Sequence, residues 1–258
     1  MRSLSKFLLV PGLVLVLALI FGAYLALLPD GNALSKIIGS RCGLRAGQAA
    51  MAEPCLKVDR GAGYVVLRDR KGPHHYLLLP TQAISGMESA TLLDPETPNY
   101  FWLAWENREF LSNAPRGIND DQVLLAINSR YGRSQKQLHI HISCMSADVR
   151  ARLDAVEHGL GAAWRPIGNG LKGNDYWVRR AGEDEIQRIG AFRLVSDSLP
   201  VAPSDMGRFS LAMTKARADG FLILATRLSL FDLNLASAEE LQDHTCGLER
   251  SLPLSGTA

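Results

Sequence analysis

The chain has 258 residues, 28 of them basic and 26 acidic, for a formal net charge of +2. That balance excludes the usual electrostatic footprint for nucleic acid, which needs a basic excess gathered on one face, so no nucleic-acid partner is expected. The length suits one large domain or two small ones, and the hydrophobic fraction of 47% is ordinary but unevenly spread.

The unevenness begins at the N-terminus, where Phe7–Leu28 is a run of 22 uncharged residues. At about 1.5 Å per residue it would make roughly 33 Å of helix, enough to cross a hydrocarbon core of about 30 Å. Arg2 and Lys6 precede the run and Asp30 follows it, so the positive flank is expected to stay in the cytoplasm and the rest of the chain to lie on the far side. A cleaved signal peptide is the competing reading. The run is longer than an h-region of about 7–15 residues, and no A-x-A site follows it, which favours a retained transmembrane anchor. The expected organisation is therefore residues 1–30 as cytoplasmic N-terminus and anchor and residues 31–258 as the globular domain. Within that domain, 145–258 forms a C-terminal half packed on the rest.

Four cysteines, Cys42, Cys55, Cys144 and Cys246, form no CxxC pair. A zinc ribbon is thereby disfavoured, and an even count in an exported domain suggests two disulfides. The spacing does not settle the pairing. Cys42–Cys55 is the economical local choice and leaves Cys144–Cys246 as a long-range staple.

After a short linker at Asp30–Ser40, Gly63–Arg68 reads as a strand, Asp69–Pro73 as a turn and His75–Pro80 as the second strand of a hairpin. Thr97 and Pro98 open a helix as cap and first helical residue, with a body at Asn99–Leu111. Its aromatics, Phe101, Trp102, Trp105 and Phe110, read as a core stripe. Val123–Asn128 is a buried strand, Ser129–Lys136 a polar loop and Gln137–Cys144 another strand. A helix near Asp148–Gly159, a strand at Tyr176–Arg179 and a hairpin of Phe209–Lys215 with Phe221–Arg227 follow, the hairpin turning at Ala218–Gly220. Ser237 and Glu240 form a capping box that opens a last helix toward Cys246. Hairpins with helices between them, and no βαβ rhythm, predict an antiparallel α+β fold.

Two of the six histidines, His139 and His141, stand one residue apart in QLHIHISC. Along a strand, His139, His141 and Ser143 share one face while Ile140, Ile142 and Cys144 take the other. A metal site would need a third ligand that the neighbourhood does not supply. A buried structural pair would need two sets of partners. A third reading is nucleophilic, with one imidazole attacking phosphorus while its neighbours hold its tautomer and bind phosphate oxygens.

At HIHIS the sequence resembles the histidine-triad superfamily, whose members hydrolyse or transfer nucleoside monophosphates. His75–Pro80 is similar to that family's upstream strand, Asn128 stands where its phosphate-site asparagine does, and Gln135 is similar to a glutamine of its loop. One membrane-anchored branch is similar over more of the chain, through TPNYFWLAW, LAINSRYGRSQ, HIHISCM and ASAEELQDHTC. The resemblance implies a histidine-triad-like antiparallel sheet with helices behind one transmembrane helix. It also implies hydrolysis of CDP-diacylglycerol to CMP and phosphatidate through a nucleotidyl-histidine intermediate, with that lipid and the bilayer as partners. The location implied is the bacterial inner membrane, single-pass, with the catalytic domain in the periplasm.

By this resemblance His141 is the nucleophile and His139 its same-face neighbour, while Ser143 and Asn128 bind the reacting phosphoryl group with help from Gln135. His75 orients the nucleophile through its other nitrogen. Ser143 replaces the third triad histidine and can donate one hydrogen bond but cannot act as a general acid. Asp69 is a candidate for the ribose hydroxyls and equally an ordinary turn aspartate. Arg130, Arg133 and Lys136 are placed for the diphosphate, with Lys136 standing where the family has a loop serine. No P-loop and no acidic cage is visible, so neither a metal nor a cofactor is expected. Two competing readings are a pyrophosphatase or nucleotidyltransferase for soluble nucleotides and a catalytically silent lipid- or nucleotide-binding module. Oligomeric state is left open.

Overall fold

The computed structural model describes residues 30–44, 51–113, 118–199 and 203–247. The chain divides into two compact units, Met1–Gly31 and Asn32–Ala258, and the architecture below is that of the second. Strands β1 (Cys55–Asp59), β2 (Tyr64–Arg68), β3 (Tyr76–Pro80), β4 (Val123–Ile127), β5 (Ile140–Met145), β6 (Arg165–Pro166), β7 (Trp177–Ala181), β8 (Phe209–Lys215), β9 (Phe221–Arg227) and β10 (Gln242–Asp243) form one sheet. Its order is β1-β2-β3-β5-β4-β8-β9-β7-β6, with β10 added alongside β5, and every pairing is antiparallel. The fold is α+β.

Central strands such as YLLLP and VLLAI are apolar at every position because both faces of the sheet are covered. Successive side chains alternate between the faces. Val66, Leu78, Leu125, Ile127, Ile140, Ile142, Leu211 and Ile223 build the larger core on one face. Helix α2 (Tyr100–Glu106) covers it with Phe101, Ala104 and Trp105, and α4 (Glu183–Ile189) and α5 (Ala191–Ser198) with Ile186, Phe192 and Val195. The opposite face carries two smaller cores. Leu124, Ala126, Ala212, Leu222 and Leu224 meet Val149 and Leu153 of α3 (Ala147–Glu157). Val65, Leu67, Leu77 and Leu79 meet Ile38 of α1 (Ala33–Arg41) and the Cys42–Cys55 disulfide. Between these two cores, on β5, the apolar surface is interrupted by His141 and Ser143.

The Cys42–Cys55 disulfide spans a sequence separation of 13 and Cys144–Cys246 one of 102. The shorter bridge closes a loop worth about 3 kcal/mol in the chain-entropy account. It ties α1 to the edge strand.

Several expectations are corrected. No helix among the described residues is long and apolar enough to cross a membrane. The eleven-residue α3 reaches only about 16 Å, roughly half a hydrocarbon core. The expected anchor, Phe7–Leu28, lies outside the described residues, and the inner-membrane, single-pass assignment with a periplasmic domain is withdrawn. Asp30–Ser40 contains most of α1 rather than a linker, because Ile38 has a core to fill. The aromatic helix begins one residue beyond Asn99, whose side chain accepts from the Trp102 N–H, so Asn99 and not Thr97 is the cap. The expected last helix is a 3-10 turn, Ala238–Leu241, followed by β10, and Ser237 makes no capping side-chain bond.

A buried ion pair locks α3 to the β8–β9 hairpin. Arg150 reaches Glu157 at 2.7 Å, and the same carboxylate accepts from the Arg217 N–H at 2.7 Å. The hairpin turn itself needs Gly220 (φ 75°), where a Cβ would stand 2.4 Å from the Ala181 carbonyl oxygen. Without Glu157 the Arg217 N–H loses its acceptor and Arg150 keeps only the partly exposed Asp154, 2.8 Å away, so Glu157→Ala is expected to lower unfolding free energy by about 3 kcal/mol, the lower end for breaking a buried pair. Urea melts of the variant beside wild type measure this, and a loss near zero would contradict it.

Candidate active site

The site forms where β3, β5 and the segment before β10 converge. The β3–β5 register sets Leu77 opposite His141, and β4 sets Ala126 opposite it on the other side. His75, one residue before β3, falls on the same face as Leu77 and Leu79 and is buried with no exposure at all. Its Nε2 lies 2.8 Å from His141 Nδ1, and its Nδ1 faces Asp69 Oδ2 at 3.2 Å. His139 Nδ1 is bound to the Gln137 carbonyl at 2.7 Å, and its ring meets His141 edge-on with centroids 4.9 Å apart.

The turn at residues 237–241 supplies a carboxylate that the strand pattern does not announce. Ser210 Oγ accepts from the Ala238 N–H at 2.6 Å, and the Glu239 N–H donates to Asn128 Oδ1 at 3.1 Å. The Glu239 carboxylate then lies among donors. Asn128 Nδ2 reaches Oε2 at 2.9 Å, Lys71 Nζ reaches Oε1 at 3.0 Å, and His141 Nε2 stands 3.6 Å from Oε2. Burial alone would raise its pKa. The contacts from His244, His141 and Lys71 outweigh that and hold it far below the usual carboxylate range.

His244 arrives from the same segment. The Cys144–Cys246 disulfide brings it beside Ser143, with His244 Nδ1 3.0 Å from Ser143 Oγ and its ring stacked on His75 at 3.7 Å. Ser143 Oγ donates to the His74 carbonyl oxygen at 2.7 Å. The approach requires Gly72 (φ 139°), since a Cβ there would come 2.7 Å from His244 Cβ.

The other sequence candidates lie around this centre. Gln135 Oε1 accepts from the Leu34 N–H at 3.1 Å, at the start of α1. Arg133 is gripped by both carboxylate oxygens of Glu88, at 2.7 and 2.6 Å. Arg130 is exposed, with its guanidinium on the Tyr131 hydroxyl, and Lys136 is exposed. Glu239, His244 and Lys71 were not among the sequence candidates. A signal for His244 was present all the same, because a Cys144–Cys246 staple must carry a residue two before Cys246 into the neighbourhood of Ser143.

Among the described residues two groups are close enough to hold a metal, Asp69–His75–His141 and His75–Glu239–His244, with ligand atoms within 4.8 Å of one another. Neither has well-shaped geometry. The 2.8 Å separation of His75 and His141 suits a shared proton. Two nitrogens bound tetrahedrally to one zinc at about 2.0–2.1 Å would stand about 3.4 Å apart. His75 and His244 are stacked within 9° of parallel, so their in-plane lone pairs run side by side and do not converge.

Burial, reinforced by His244 and opposed by Asp69 and Glu239, lowers the His75 pKa to about 4. Burial also holds His141 well below the ordinary histidine value. Glu239 opposes that shift, and His139 and His75 add to it. The imidazole that faces Glu239 is therefore neutral. Unfolded histidines take up protons below about 6.5, whereas His75 resists until about 4. In that window the unfolded state binds more protons, so stability is complete above pH 6.5 and falls as pH drops. The slope is about 1.4 kcal/mol per pH unit for each such imidazole. Urea midpoints measured from pH 7.5 to pH 4.5 are expected to fall steadily below 6.5, and a flat profile would contradict this.

A family model described as CDP-diacylglycerol pyrophosphatase matches residues 29–250. The chain is also 46% identical over 228 residues to the CDP-diacylglycerol pyrophosphatase of Yersinia pestis, an alignment covering 87% of this chain and 88% of that protein. By both measures the chain belongs to the CDP-diacylglycerol pyrophosphatase family.

Proposed function

We propose that this chain carries out the reaction its family is named for, cleavage of CDP-diacylglycerol to CMP and phosphatidate, by double displacement at His141. The observation that carries the reading is a neutral, buried imidazole with one nitrogen engaged and the other aimed at an anion-holding corner. With the His75 proton on Nδ1, toward the Asp69 carboxylate, His75 Nε2 is an acceptor for the Nδ1–H of His141. That order of tautomers leaves the lone pair of His141 on Nε2, which has no hydrogen-bond partner. Desolvation keeps this nitrogen unprotonated and nucleophilic at neutral pH.

Glu239 marks where an anion is held. Its carboxylate is bound by Asn128 and Lys71 beside His141 Nε2, and the phosphoryl group takes these donors when the carboxylate swings aside. His141 Nε2 then attacks the CMP-side phosphorus, a P–N bond forms and the P–O bond to phosphatidate breaks. Water next attacks the same phosphorus, displaces His141 and releases CMP. Phosphatidate is a phosphate monoester with a second ionisation near 6, so it departs with little help from a general acid. His244, on Ser143 and facing the Glu239 corner, is placed to give that help and stands in for the histidine that Ser143 replaces.

The decisive experiment uses CDP-diacylglycerol labelled in one phosphate at a time. After an alkaline quench, label from the CMP-side phosphate is expected on the protein and label from the phosphatidate side is not. His141→Ala should abolish the adduct and reduce turnover by about a thousandfold or more. Ser143→Ala removes a hydrogen bond to a neutral carbonyl, worth about 0.5–1.5 kcal/mol, and should leave labelling detectable. Chelator should change neither result. Near-wild-type turnover by His141→Ala, or label arriving from the phosphatidate side, would overturn the mechanism.

Because the leaving group needs little help, His244→Ala should slow phosphatidate release by about a hundredfold at most, the lower end of general acid catalysis. A CMP ester with a nitrophenol leaving group, which needs no proton, should be nearly unaffected. Equal losses on both substrates would make His244 a structural residue.

A further inference from the structure

The connection between β9 and the Glu239 turn carries most of the exposed large apolar residues among the described ones. Phe231 is 102% exposed, Leu233 87%, Leu230 71% and Leu235 50%, and besides these only Met51 and Tyr131 are exposed large apolar residues among the described ones. Single exposed leucines are ordinary, but four within six residues form a patch. The turn is also built rather than slack. Ser229 and Asn234 exchange backbone hydrogen bonds at 2.9 Å, and Asn234 Nδ2 is bound to Thr226 Oγ1 at 2.9 Å. Leu233 and Ala236 adopt φ of 55° and 56°, a region costly for residues with a Cβ. Of these two strained residues Leu233 is turned outward and Ala236 is buried. The single charge of the tip, Asp232, is tied back to Ser229 Oγ.

This turn abuts the reaction centre. The Ser129 N–H donates to the Ala236 carbonyl at 3.0 Å and Ser129 Oγ to that of Leu235 at 2.6 Å, one residue from Asn128. Tyr131 follows on the same loop, with the exposed Arg130 guanidinium on its hydroxyl. An apolar tip bordered by a tyrosine and a cation matches the profile of an interface between hydrocarbon and anionic headgroups. The geometry points to the 230–235 turn as a wedge that enters the surface of a phospholipid assembly, with Tyr131 and Arg130 at headgroup level, so that the diphosphate of an embedded substrate meets His141. It is a surface contact and spans nothing. The inference rests on the lipid substrate proposed above and adds how that substrate is reached.

The full-length chain and its Phe231→Ser/Leu233→Ser variant are assayed for CMP release on long-chain CDP-diacylglycerol in mixed micelles and on a short-chain analogue kept monomeric. The variant is expected to lose about tenfold or more on micelles and less than about twofold on the monomer, because each lost side chain forfeits its transfer into hydrocarbon. Equal loss on both, or no loss on micelles, overturns the wedge. Independently, Phe231→Trp is mixed with phosphatidylcholine–phosphatidylglycerol vesicles carrying brominated chains. Quenching beyond that of wild type supports insertion, and no added quenching contradicts it. A dimer that the serine variant dissolves, without quenching, would make the patch a protein interface instead and overturn the proposal. If wild type releases no CMP from either substrate, the proposed activity fails, while the quenching still decides the wedge.

Discussion

His75 and His141 stand 2.8 Å apart only because β3 and β5 pair in the register that sets Leu77 opposite His141. Side chains alternate along a strand, so a slip of one residue would turn His141 into the larger core and Ile140 or Ile142 into the site. Tyr76 and Leu78 on one strand, and Ile140 and Ile142 on the other, all belong to that larger core, and their burial holds the register. The positions between them are then free to carry polar chemistry on the opposite face. The precision of the imidazole pair is thus set by apolar packing on the side of the sheet that takes no part in the chemistry.

The same placement explains the electrostatics. His141 lies in the gap between two small apolar cores, so it is removed from water without being filled in by aliphatic side chains. Desolvation makes its charged form costly. Burial favours the neutral imidazole, and the Lys71 contact favours both that neutral imidazole and the ionised Glu239 beside it. The corner is poised for an anion because its donors already hold one. Whatever displaces the Glu239 carboxylate must offer negative charge to Asn128 and Lys71 in return.

The C-terminal segment does two jobs over a short stretch of chain. Residues 230–235 present apolar side chains outward, and residues 239–244 present a carboxylate and an imidazole inward. The backbone between them is pinned by Ser129 and Ser210, and its end by the disulfide to Cys144. Because these anchors lie on β4, β5 and β8 or directly beside them, the segment keeps its position relative to His141 without a helix or a long strand of its own.

Much of this was legible in the residues alone. The alternation in HIHIS read both imidazoles onto one strand face, although β5 begins only at Ile140, after His139. The apolar runs at His75–Pro80 and Val123–Asn128 announced strands, and the 209–227 hairpin was marked by its turn chemistry. Those signals are local, set by periodicity and by what the backbone allows. The membrane-spanning expectation rested on a hydrophobic run outside the described residues, and no described helix supports it. Segment 237–246 reads as a capped helix because its local composition favours one. The structure overrides that preference with hydrogen bonds to Ser210, Asn128 and Leu124 and a disulfide to a strand 102 residues away. Glu239 and His244 enter the site through those long-range constraints. Nothing periodic marks them in the sequence, so only the tertiary structure could decide that a carboxylate and an imidazole of the site come from the segment 239–244.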